Sequence, residues 1–106
     1  MRPQEYRMEH QTLIQYQGFH PSEFTQNALE SLAEEINIES PVGARVTIRL
    51  SRDQGVFKAI ASVHSSGGRF FAVASSSKLR DVTLKIMIQI RHQLDKWKSH
   101  RFSNAA

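Results

Sequence analysis

The segment 77–100 limits the possible folds more than any other stretch of the chain. At about 100° per residue, Leu79, Val82, Thr83, Ile86, Met87, Ile90, Leu94 and Trp97 fall on one broad stripe. A stripe this apolar predicts a long amphipathic helix with one side packed on the core of its own domain. Two basic rows flank it. Lys78, Lys85, His92 and Lys96 run along one edge with Gln89 among them, and Arg80, Arg91 and Lys98 run along the other. Within the segment only Asp81 and Asp95 oppose this charge. Such a helix can bury one side and offer the other to an anion.

The elements before it supply that core. Gln11 to Gln17 holds Leu13, Ile14 and Tyr16 and predicts a short strand ending at Gly18. Ser22 is a candidate N-cap, with Glu23 in the first turn. Phe24, Ala28, Leu32 and Ile36 then recur every four residues, with Leu29 and Ala33 widening the stripe, which predicts a helix over about 22–35. Val46, Ile48 and Leu50 alternate with Arg45, Thr47 and Arg49 in a half-buried strand over 44–50. After a turn at 51–55, Val56 to His64 and Arg69 to Ala74 read as two strands joined through Ser65-Ser66-Gly67-Gly68. Ser76 or Ser77 is placed to cap the final helix.

The predicted order is β-α-β-β-β-α, an α+β domain with a four-stranded mixed sheet. The last three strands should form an antiparallel meander, and the first should lie parallel to a neighbour. Both helices, each with one apolar face, should cover the same side of the sheet. One domain over 11–101 is expected, with a disordered leader over 1–10 and a disordered tail over 102–106.

At 106 residues the chain has room for one modest core. It has no cysteine, which excludes disulfides and thiolate metal sites. No apolar run marks a secretory signal or a membrane span, so no membrane partner and a cytoplasmic location are expected. The net charge of +4 conceals an asymmetry. Residues 1–53 hold five Lys or Arg against eight Asp or Glu, and residues 54–106 hold nine against two. A polyanion bound mainly through the C-terminal half is the partner this balance favours.

No motif for catalysis stands out, and the chain is read as a non-enzyme without a cofactor. There is no Walker loop, nucleophile elbow or HExxH, and Gly67–Gly68 lacks the Lys-Ser of a phosphate loop. The five histidines have no metal-ligand spacing, so no metal site is expected. The acids around the first helix read as a solvated face. Leu84 and Ile88 lie one turn apart between the basic rows and are the candidate contact for a partner protein or a second copy in a homodimer. Arg69 is placed to extend the basic surface of the last helix.

The stretch AIASVHSSGGRFFAVASSSKLRDV followed by IMIQIRHQLDKWK resembles the ribosome hibernation-promoting factor family. The resemblance covers about residues 12–101. The family's helix pattern L-x-x-Q-L-x-K-x-K reads here from Ile90 through Gln93, Leu94 and Lys96 to Lys98. The chain departs from that pattern at Lys78 and Arg80, where an acid and a tyrosine are usual, at Gln89 and His92, where Lys and Arg are common, and in its acidic first helix. The resemblance implies a fold akin to a double-stranded-RNA-binding domain. It also implies docking on 16S rRNA of the small ribosomal subunit, in the channel for messenger and transfer RNA, where the protein blocks translation and preserves idle ribosomes. On this reading Arg69, Lys78, Arg80, Lys85, Arg91, His92, Lys96 and Lys98 contact RNA. The alternative is a protein-interaction module on the same fold that has lost RNA binding.

Overall fold

The computed structural model describes residues 11–105, and for 101–105 the backbone alone. The element order is β1 (Gln11–Gln17), α1 (Glu23–Glu39), β2 (Arg45–Asp53), β3 (Val56–Ser65), β4 (Gly68–Ser76) and α2 (Leu79–Ala105). The sheet has the strand order β1-β2-β3-β4. β1 runs parallel to β2, with Ile14 opposite Ile48, and β2, β3 and β4 form the antiparallel meander. The predicted topology is the one found.

Strand alternation decides which side of the sheet is covered. Val46, Ile48, Leu50, Ala59, Ala61, Val63, Phe70, Ala72 and Ala74 are buried on one face. Alanine at the centre of β3 and β4 lets a helix approach closely, and α2 lies over these two strands while α1 lies over β1 and β2. From α2, Val82, Ile86, Met87, Ile90 and Leu94 enter the core, with Leu79 and Trp97 partly buried at its margins. The Trp97 ring meets Phe70 edge-on at 6.2 Å between centroids, a geometry aromatic pairs favour. From α1, the core residues are Leu29, Ala33 and Ile36.

Ser22 caps α1 as expected: Thr25 N–H donates to Ser22 Oγ at 3.1 Å. The helix runs on to Glu39, past the expected end at residue 35, and stops before Pro41. There the Ser40 hydroxyl donates to the Ile36 carbonyl. Asn37, buried at this end, donates from Nδ2 to the Ala44 carbonyl at 3.0 Å and ties the helix exit to the start of β2.

Several expectations needed correction. Phe24 is 83% exposed and stands outside the core, at the border of a groove between the starts of α1 and α2. β2 continues through Asp53, so the turn expected over 51–55 is only Gln54–Gly55, both at positive φ (51° and 77°), a two-residue hairpin turn of the kind a twisted ribbon prefers. The α2 backbone is helical through Ala105, since no Pro or Gly interrupts 101–105 even though the apolar period has ended by His100. The leader expected over 1–10 lies outside the described residues.

Candidate nucleic-acid interface

A sheet with two free edges exposes backbone donors and acceptors along both. In this protein α2 closes the β4 edge with its own side chains. Gln93 Nε2 donates to the Phe71 carbonyl at 2.6 Å, and Phe71 N–H donates back to Gln93 Oε1 at 3.0 Å. One turn earlier, Gln89 makes the same pair of bonds with Val73, at 3.0 and 3.3 Å. One turn earlier again, Lys85 Nζ donates to the Ser75 carbonyl at 3.2 Å. The i, i+4 spacing of Lys85, Gln89 and Gln93 thus tracks the two-residue period of β4.

This ladder fixes how α2 is rotated, and with it the placement of the cations. Lys78, Lys85, His92 and Lys96 lie on the β4 flank. All four are exposed, and no acid forms an ion pair with them among the described residues. Arg80, Arg91 and Lys98 lie on the opposite flank, toward α1. There the surroundings are acidic, for α1 carries Glu23, Glu30, Glu34, Glu35 and Glu39 and no Lys or Arg. Arg91 Nη2 donates to Glu35 Oε1 at 2.8 Å, and Arg91 Nε lies 3.8 Å from Glu39. The pair is about half exposed, so its contribution to stability is at most about 1 kcal/mol. Its larger effect is to offset one of the eight expected RNA-binding residues.

Among the described residues the β4-flank row thus makes no ion pair, while in the α1-flank row Arg91 is engaged by Glu35 and Glu39. Between them, Leu84 and Ile88 are 49% and 69% exposed, as expected for a pair on the outer ridge. Leu84 also borders a groove between the starts of the helices, lined by Phe24, Leu32, Leu79 and Arg80.

Arg69 sits apart from both rows. It belongs to the sheet face turned away from the helices, opposite His64 in the β3–β4 register. Arg45, Arg49 and Lys58 share that face. Reading the sequence for a basic helix missed these three, although the alternation of Arg45 and Arg49 with buried Val46, Ile48 and Leu50 already sent them outward.

Among the described residues no group of His, Cys, Asp or Glu is placed to hold a metal ion, and no helix is long and apolar enough to cross a membrane. Tyr16 is the described side chain with a displaced pKa. Burial raises it above the ordinary tyrosine value, and the nearby Glu30 carboxylate adds to the effect. Its hydroxyl is buried without a hydrogen-bond partner.

No protein-family model matches the sequence, and no curated protein matches it. Solved structures do. A ribosomal subunit interface protein from Coxiella burnetii superposes with a TM-score of 0.65 at 21% identity, over 82% of this chain and 98% of that one. The N-terminal domain of Thermus thermophilus Protein Y superposes with a TM-score of 0.60 at 12% identity, over 84% and 94%. At these identities the likeness is one of architecture: the chain has the β-α-β-β-β-α fold of a ribosomal subunit interface protein and of the Protein Y N-terminal domain.

Proposed function

We propose that this protein is a ribosome-associated factor that binds 16S rRNA of the small subunit through its basic surface, inhibits translation and promotes ribosome hibernation. The observation that carries the reading is the exposed row Lys78, Lys85, His92 and Lys96 along the β4 flank of α2, which makes no ion pair among the described residues, on a fold shared with a ribosomal subunit interface protein. Cations held on one side of a rigid helix neutralise phosphates without reading base sequence, and each contact releases counterions. The protein acts by occupying space on the ribosome in the cytoplasm, and no bond is made or broken.

Co-sedimentation with small subunits and whole ribosomes tests it. Binding at about 50 mM salt should weaken by orders of magnitude toward about 200 mM, and saturating protein should inhibit translation in a purified system. Absence of co-sedimentation at low salt overturns the reading. The second reading, a protein-interaction module that is homodimeric and does not bind RNA, draws on the exposed Leu84–Ile88 pair beside the Phe24 groove. A concentration-dependent dimer abolished by Leu84→Ser/Ile88→Ser, together with no ribosome binding, favours it.

A further inference from the structure

The sheet face opposite the helices has a composition of its own. Among the described residues its only Lys and Arg are Arg45, Arg49, Lys58 and Arg69, and its only acid is Asp53, at the far end of β2 beside the hairpin turn. Large apolar side chains stand among these cations: Phe71 is 57% exposed, Leu13 51% and Val73 41%. A face meant only for solvent does not need an exposed aromatic ring among its cations.

The register arranges these groups in rows across the strands. One row runs Leu13, Thr47, Ser62, Phe71. Its two middle members are short, so the row forms a shallow trough with Leu13 at one end and Phe71 at the other, about 14 Å long over three strand spacings. The next row on one side carries Arg45 and Arg69, and the next on the other carries Arg49. Both β2 arginines are steadied by uncharged partners. Arg45 Nε donates to Gln11 Oε1 and Arg49 Nε donates to Gln15 Oε1, each at 3.1 Å. Because these contacts use Nε and a neutral acceptor, each guanidinium keeps its full charge and its two terminal nitrogens for an incoming oxyanion.

We propose that this face is a second binding surface, separate from α2, and that it takes single-stranded nucleic acid, with a base stacked on Phe71 and backbone phosphates held by Arg45, Arg49 and Arg69. Charge complementarity selects a polyanion, and the exposed ring among the arginines selects one with unpaired bases. A duplex keeps its base faces stacked inside, out of reach of a ring on a flat sheet, whereas an unpaired strand presents them. The trough accommodates two to three nucleotides, about the span of a sheet platform of this width.

The test uses the purified chain without ribosomes, so its outcome is independent of ribosome binding. Fluorescence anisotropy is measured with labelled ten-nucleotide uridine and thymidine tracts and with an RNA hairpin duplex, with poly-glutamate as competitor. The tracts should bind more tightly than the duplex and resist poly-glutamate. Phe71 is exposed, so Phe71→Ala should fold normally, as circular dichroism will verify, and should weaken tract binding roughly ten-fold. Its salt dependence should stay unchanged, and Phe71→Tyr should restore affinity. Arg45→Gln/Arg49→Gln should lower the salt slope by about two. Unchanged affinity in folded Phe71→Ala, or equal displacement by poly-glutamate, overturns the proposal.

Discussion

Gln89 gives Val73 both hydrogen bonds that a neighbouring strand would have given it, the carbonyl accepting at 3.0 Å and the amide donating at 3.3 Å. A helix side chain thus stands in for a fifth strand. With Gln93 on Phe71 and Lys85 on Ser75, it leaves little of the β4 edge open to another chain.

Removing the ladder should expose that edge. Gln89→Ala/Gln93→Ala loses four hydrogen bonds, but water replaces them at an exposed site, so the stability cost should be only about 1–3 kcal/mol in urea unfolding. The larger change should be self-association through β4. Sedimentation velocity should show concentration-dependent oligomers in the double variant and none in Gln89→Glu, where a charge guards the edge.

The two basic flanks of α2 should differ in ribosome binding. Lys96→Ala removes an exposed cation that makes no ion pair among the described residues and should lower the salt slope of co-sedimentation by about one. Arg91→Ala removes a cation already engaged by Glu35 and Glu39, so its slope should change less. Both variants should lose less than about 1 kcal/mol of stability.

Tyr16 should make the fold sensitive to alkali. Its pKa is raised by burial and by Glu30, so the folded state favours the neutral phenol more than the unfolded state does. That stabilisation is complete below the ordinary tyrosine pKa of about 10 and is lost as pH rises through the higher folded value. Urea midpoints should therefore fall more steeply above about pH 10 in the wild type than in Tyr16→Phe.

Gly18 should tolerate no side chain. A Cβ there would lie 2.3 Å from the Arg52 carbonyl oxygen, and the backbone has φ +86°. Gly18→Ala should cost more than about 1 kcal/mol, since it combines a left-handed conformation with a clash against β2. A thermal midpoint within a degree of wild type would contradict this.

The architecture was legible because its signals were periodic. The 3.6-residue stripe of α2 and the alternation of β2 carry their own burial instructions, and the structure obeys both. Phe24 misled because it fits the apolar period of α1, while its exposure depends on how closely the start of α2 packs against it, and there a groove is left between the helices. The site was less legible. A helical wheel gives the angle between Lys85 and Arg91 but not which of them faces the acids of α1, and that depends on the ladder to β4. Gln89 looked like a missing lysine in a basic row, yet its amide is what a strand edge needs, a donor and an acceptor on one side chain.

The acidic α1 has a consequence for the moment before contact. With five glutamates gathered on α1 and most of the described cations on α2 and the far side of the sheet, charge among the described residues is unevenly distributed, which favours an electric dipole. Far from a large anionic particle, that dipole would turn the protein so that α1 trails and the basic sides lead. On such a particle the glutamates would shape encounters by repulsion, making a backward landing short-lived and favouring collisions in which α1 points outward.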